Sequence, residues 1–442
     1  HAWLAGAITA TCYGYFAMAR SALPDLPLAF CITLTVSAVF AAFDTGGAAA
    51  RRWWLLAGIA TGLGCLMKGP VAIAVPALAL ALPWWLERRS LDIRWGHVAM
   101  AALAAAVVAL PWYLAMVARH GTAYVDSFLI GDNLERFTTT RFNDTRPVWF
   151  YLPVIAGGLV PWAAFSVAAA VTGLATLARR QWRPSRDDLR LLSWAVLPTL
   201  FFMASVGQQP RYVLPVLPPL AILTAKAIGE RIAAARAGRT AGVLTGATWA
   251  TAAMFVLFAA LLYRLQPLLE DTPAPLLLFA AVGMAAGGAA LAIVALRREW
   301  AALPLVMAAA ATALLLGLQF SVFAPPRPAA VERMAAFVQA HRTADEPIGS
   351  LHAFTRNLIF YTGLPQLDLV DVEGAKRFLS ADGRVLAILP ERDLADASAR
   401  AATPPRVLAR VRHLNTANLR LRSVLDPDPE KELETVVLVA NR

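Results

Sequence analysis

The stretch GCLMKGPVAIAVPALALALPWW, from Gly64 to Trp85, is apolar at nearly every position, and Lys68 interrupts it directly before a Gly-Pro pair. A lysine at the centre of a bilayer costs roughly 2.5–3.5 kcal/mol, so an intramembrane charge marks a candidate functional site. The alternative is a turn lysine that snorkels to water. Which reading holds depends on whether the rest of the chain spans a membrane.

It has the composition to do so. Of 442 residues, 58% are hydrophobic and 16% charged, against about 25% charged in soluble domains. The net charge of +11 does not point to nucleic acid, because the basic residues sit in short loops between apolar runs. Cys12, Cys31 and Cys65 lie within such runs and imply no disulfide framework. The six histidines are scattered without metal-ligand spacing, so neither a metal nor a cofactor is expected. The sequence begins at His1 and enters an apolar run at once, which is read as a chain lacking its N-terminal part.

Apolar runs occur at about 1–18, 26–43, 53–67, 70–86, 97–117, 149–178, 189–205, 212–228, 241–263, 275–296 and 301–323. Most approach the ~20 residues that cross ~30 Å of hydrocarbon. Tryptophans such as Trp53, Trp84, Trp112, Trp149 and Trp300 fall near the run ends, as interfacial anchors do. Of the 24 Lys and Arg residues before residue 325, alternate loops hold sixteen and eight. The positive-inside rule makes the richer loops cytoplasmic and puts residues 324–442 outside.

The expected fold is therefore an all-α polytopic membrane domain over residues 1–323, with about eleven transmembrane helices, followed by a small extracytoplasmic α/β domain over 324–442. In the second part AAVERMAAFVQAHR reads as an amphipathic helix. GSLHAF, LDLVDV, RVLAILPE, RVLARV, LRLRSVL and ETVVLVA read as strands. No phosphate-binding glycine loop or nucleophile elbow is visible there, which suits a lid or scaffold.

With this topology Lys68 belongs to the outer face, in a turn between two short spans. Placed there it can meet an anionic lipid headgroup as a point charge, and Gly69 lets a ligand approach the backbone. Arg20 and Asp25 bracket the neighbouring outer turn; Asp25 reads either as a helix cap or as a site carboxylate with Arg20 as a candidate partner. Arg211 and Tyr212 open a span broken by Pro215, Pro218 and Pro219, and freed backbone groups in lipid are tolerated where they line a cavity. The loop GDNLERFTTTRFNDTRP adds Glu135, Arg136 and Arg141 as candidates for binding an anionic or sugar substrate.

MKGPVAIAVP, RFTTTRFNDTRPVWFYLPVIAGGLVPW and QPRYVLPVLPPLAIL, in this order, resemble the bacterial aminoarabinose transferases and the wider protein-mannosyltransferase-like GT-C glycosyltransferases. The resemblance covers most of residues 1–323, and the C-terminal part is similar to an outer domain that some members carry. It implies an inverting transfer of a sugar from a polyprenyl-phosphate carrier to an extracytoplasmic acceptor at the bacterial inner membrane. It matches Lys68 to a donor-phosphate ligand, Tyr212 to a Tyr-x-Leu-Pro tyrosine, Asp25 to an aspartate after the third span, and Arg136-Phe137 to an Arg-Phe pair. The principal catalytic carboxylate is expected upstream of this chain, with Asp25 in a supporting role. Asp132-Asn133 stands where the aminoarabinose transferases have Glu-His, so their loop metal site is not carried over.

The functional expectation is a polyprenyl-phosphate-sugar-dependent glycosyltransferase acting on lipid A, a glycan or a protein. A flippase for lipid-linked sugars would instead show inverted repeats and charges near the midplane. An oligosaccharide ligase would share these residues and accept a larger donor. A catalytically inactive homologue would keep the fold and lack the upstream carboxylate.

Overall fold

The computed structural model describes residues 1–87, 94–139, 146–181, 184–324, 327–343, 345–354, 357–399, 403–415 and 420–442. All eleven apolar runs are helical over most of their length. Among the described residues, six helices are long and apolar enough to cross a membrane: Asp25–Phe43, Trp95–His120, Pro210–Arg236, Gly242–Arg264, Ala274–Arg297 and Leu303–Phe323. The protein is a multi-pass membrane protein. It forms two compact units, residues 1–254 with 287–315 and residues 255–286 with 316–442.

The first unit opens with α1 (Ala2–Thr11), α2 (Tyr13–Ala19), α3 (Asp25–Phe43), α4 (Gly47–Lys68), α5 (Val71–Glu87) and α6 (Trp95–His120). Small residues decide how closely these pack. A Cβ on Gly58 of α4 would lie 2.2 Å from the Ala101 carbonyl oxygen of α6, and one on Gly62 would lie 2.8 Å from that of Ala105. This is the small-residue spacing that lets helix backbones meet in lipid, where apolar surface alone gives no drive to associate. A buried core then joins α3, α4 and α5 to the helix Arg186–Met203 through Leu28, Ile32, Cys65, Val75, Trp194 and Phe202. The proline-rich stretch begins as a 3-10 turn over Pro210–Val216 and becomes α-helical at Leu217–Arg236; Pro218 and Pro219 fall in the first turn of that helix, where a missing N–H leaves no helical bond unmade.

The second unit contains a five-stranded sheet in the order β2-β1-β3-β5-β4. The strands are β1 (Ile348–Ser350), β2 (Leu367–Asp368), β3 (Leu386–Pro390), β4 (Arg406–Leu414) and β5 (Leu433–Ala440). β1 pairs parallel with β2 and β3, with Ile348 opposite Leu386; β5 pairs antiparallel with β3 and β4. The amphipathic helix Ala330–His341 lays Met334 and Val338 on one sheet face against Ile388 and Leu438. One strand expectation is corrected. Within LRLRSVL, residues Leu421–Leu425 form a short helix. The Ser423 hydroxyl accepts the Arg420 backbone N–H at 3.2 Å and closes the turn, overriding an alternation of Leu and Arg that reads as a strand.

Candidate functional site

The site is built from the ends of helices in the first unit. Lys68 is the last residue of α4, and Gly69 caps it with φ +74°. That left-handed geometry favours glycine. Space demands it too, since a Cβ there would lie 2.8 Å from Cζ of Phe128. The turn is fixed from the side by Tyr113 of α6, whose hydroxyl donates to the Cys65 carbonyl at 2.5 Å. Above it stands the loop segment Asp126–Glu135, with Phe128 stacked on Tyr124 at 5.5 Å and Asn133 donating to the Phe128 carbonyl at 2.7 Å.

Asp25 is the first residue of α3 and is 4% exposed. It follows the N-cap residue Pro24 and is the acidic residue of the first turn. Lys68 Nζ donates to Asp25 Oδ1 at 2.5 Å, and Arg211 Nε approaches Oδ2 at 3.5 Å. The Lys68 ammonium also lies 4.9 Å from the centre of the Tyr212 ring, a favourable cation–π distance. Tyr212 in turn packs on Phe202 at 5.6 Å.

The connection leading to Arg211 is held by its own hydrogen bonds. Gln208 donates to the carbonyls of Met203 and Ser205, and the Gln209 backbone N–H donates to the buried Tyr151 hydroxyl at 3.2 Å. The loop is tied to the same place: the Val206 N–H donates to the Phe137 carbonyl at 2.9 Å, and Phe137 stacks on Phe201 at 4.8 Å.

The structure thus brings together Asp25, Lys68, Arg211 and Tyr212. Arg20 lies exposed at the end of α2, and the ion partners of Asp25 are Lys68 and Arg211 instead. Arg20 is near Asp25 in sequence, but Lys68 and Arg211 reach the carboxylate from other helix ends. Glu135 closes the loop segment half-buried. The side chain of Arg136 and the whole of Arg141 lie outside the described residues.

Residues 1–123 match the family model described as Dolichyl-phosphate-mannose-protein mannosyltransferase. An undecaprenyl phosphate-alpha-4-amino-4-deoxy-L-arabinose arabinosyl transferase of Pseudomonas aeruginosa is 36% identical over 211 residues, 47% of this chain and 37% of that protein. The like-named protein of an Enterobacter species is 31% identical over 266 residues, 58% of this chain and 45% of that one. Among solved structures, ArnT from Cupriavidus metallidurans bound to undecaprenyl phosphate superposes with a TM-score of 0.62 at 20% identity, covering 99% of this chain and 82% of that chain. The chain is similar to these transferases over part of its length and shares the fold of the solved one. It spans less than half the length of the curated relatives it matches, with coverage of 37% and 45% in the two cases above.

Two features of this chain escape sequence reading. One is the loop seated on Gly69 through Phe128; the signal present was an aromatic-rich loop of matching length. The other is a buried arginine, Arg190, which counts in the sequence only as one more basic loop residue. Its side chain is 4% exposed and carries ion pairs to Asp44 and Glu87 at 2.7 Å each.

Proposed function

We propose that this protein is an integral-membrane glycosyltransferase that takes a sugar from a polyprenyl-phosphate carrier. The observation that carries the reading is the convergence of Lys68 and Arg211 on one carboxylate at the helix ends. Two cations held around a single buried aspartate form a preorganised pocket of positive charge for a phosphate. The relatives act on an undecaprenyl phosphate sugar, as their names state, and one structural neighbour holds undecaprenyl phosphate.

In such a transfer the bond between the sugar's anomeric carbon and the phosphate oxygen breaks, and its electron pair stays on the phosphate. The acceptor oxygen attacks the opposite face and inverts the anomeric centre. Negative charge grows on the lipid phosphate as it leaves. Fixed cations stabilise that charge in the transition state more than in the ground state. Lys68 supplies a point charge and Arg211 a planar fork of donors. Asp25, clamped between them, serves to hold the two cations in place; its proton-accepting oxygens are already engaged. The acceptor is lipid A, a glycan or a protein. The sixteen-to-eight partition of basic residues supports an inner-membrane orientation with the Lys68 end outward and residues 324–442 in the periplasm.

The test is binding of undecaprenyl phosphate by the chain in nanodiscs. Wild type is expected to bind, and Lys68→Ala to weaken binding more than tenfold, or about 1.4 kcal/mol. Equal affinity of the two proteins would remove Lys68 from the site and the reading with it.

A further inference from the structure

Arg190 lies in the second turn of the helix Arg186–Met203. Its guanidinium is engaged on both edges. Nε and Nη2 donate to Glu87 Oε1 and Oε2 at 3.0 and 2.7 Å, and Nη1 donates to Asp44 Oδ1 and Oδ2 at 2.9 and 2.7 Å. The rings of Phe40 and Phe43 lie 5.4 and 5.9 Å from its central carbon, and Asp187 stands 3.9 Å away.

The positions of the partners matter more than their number. Asp44 caps the C-terminus of α3, the helix that Asp25 begins. Glu87 is the last residue of α5, the helix entered through the Lys68-Gly69-Pro70 turn. The helix of Arg190 runs the other way and delivers, beyond Met203, the segment that ends in Arg211. The helix that Asp25 begins, the helix entered just after Lys68 and the helix that leads to Arg211 are therefore joined at their opposite ends by one arginine.

A buried ion network is a poor source of stability, because desolvation cancels most of the Coulomb gain; its best-attested use is to fix register. Among these helices a further axial tie is the Ser193 hydroxyl, which donates to the Ala79 carbonyl at 2.8 Å, together with side-chain packing. A slip of one residue is about 1.5 Å along the axis. That is enough to turn the 2.5 Å contact of Lys68 with Asp25 into no hydrogen bond at all. A bidentate fork on one carboxylate and two further bonds on another forbid such a slip in both helices at once.

We propose that Arg190 is a positioning residue. By locking α3, α5 and the helix Arg186–Met203 in axial register, it sets the spacing at which Asp25 holds Lys68 and Arg211. The consequence for lipid-phosphate binding rests on the function proposed above; the consequence for helix register does not.

Both are measured on Arg190→Lys, which keeps the charge and loses the fork, and on Arg190→Gln. Hydrogen exchange by mass spectrometry in nanodiscs reports register directly. Faster exchange is expected around residues 25–30 and 69–74 as well as near 44 and 87. The undecaprenyl-phosphate Kd of the folded protein, measured well below its melting temperature, is expected to rise at least fivefold in Arg190→Lys. If exchange rises near 44 and 87 alone and the Kd stays at the wild-type value, Arg190 is a local structural residue and the proposal falls. Should Arg190→Gln fail to fold, Arg190→Lys still decides between these outcomes. If wild type itself does not bind the lipid, the proposed function fails, and the exchange pattern alone decides the role of Arg190.

Discussion

Helix α3 carries a carboxylate near each end, and the two ends treat it in opposite ways. At Asp25 one buried carboxylate is shared by two cations, whose side chains remain 27% and 29% exposed. At the other end one cation, 4% exposed, is shared by the carboxylates of Asp44 and Glu87. The first arrangement leaves its two cations partly exposed; the second spends the donors of a buried cation on the protein itself. Both are ion clusters in an apolar helix bundle. On the function proposed above, the one with partly exposed cations receives an anion and the one with a buried cation holds helices still, so exposure of the cation tells more than the presence of charge in a membrane run.

The largest effect that could break this contrast is on stability at the clamp. Arg190→Leu takes from the buried Glu87 the guanidinium that donates to both its oxygens and is expected to cost about 3–5 kcal/mol. The triple variant Asp44→Asn, Glu87→Gln, Arg190→Leu removes the stranded charges and should recover most of that loss in denaturant unfolding of the detergent-solubilised protein. Equal instability of single and triple variants would mean that packing, not charge, is what Arg190 provides. Next in size is the contact that sets α4, and with it Lys68, against α6. Gly58→Leu forces a side chain onto the Ala101 carbonyl and should cost about 1–3 kcal/mol. Gly6→Ala, where a Cβ meets nothing within 4 Å, should shift stability by less than about 0.5 kcal/mol. A melting-temperature comparison of the two variants reads the difference.

Much of the fold is legible in the sequence, because hydrocarbon thickness and a fixed rise per residue turn a run of apolar residues directly into a helix. The site was legible in pieces. Lys68 and Asp25 stand out as charges at helix ends, and Gly69 as a residue needed for its turn. Their pairing was not, because Lys68 and Asp25 are 43 positions apart, and Arg20, much nearer to Asp25, was the partner the sequence offered. Arg190 stayed hidden for a related reason. Positive charge at a loop edge is what membrane topology requires in any case, so its second use leaves no mark on the pattern. The segment 421–425 failed in the other direction, where a hydroxyl closing one helical turn outweighed a two-residue periodicity.

A smaller effect in the second unit supplies a water-facing reference for both clusters. Burial pushes the Glu346 carboxyl up, but hydrogen bonds from the Thr343 hydroxyl, Arg384 and the Thr343 backbone outweigh it and hold the group below its ordinary value of 4.5. A carboxyl depressed in this way adds stability above its unfolded pKa, and that stability is lost as pH falls through the folded value. Thermal unfolding should therefore show the wild type losing stability below about pH 4.5 relative to Glu346→Gln, with a difference of about 1 kcal/mol at pH 7. A pH-independent gap between the two proteins would count against ionisation as the cause.

The central claim is that Lys68 and Arg211 read a phosphate. The direct measurement compares undecaprenyl phosphate with undecaprenol, its uncharged alcohol, as ligands for the same protein in nanodiscs, in wild type and in the double variant Lys68→Ala, Arg211→Ala. The prediction is that wild type prefers the phosphate at least tenfold and that the double variant loses the preference while still binding the chain of the lipid. A phosphate preference that survives removal of both cations would contradict the account.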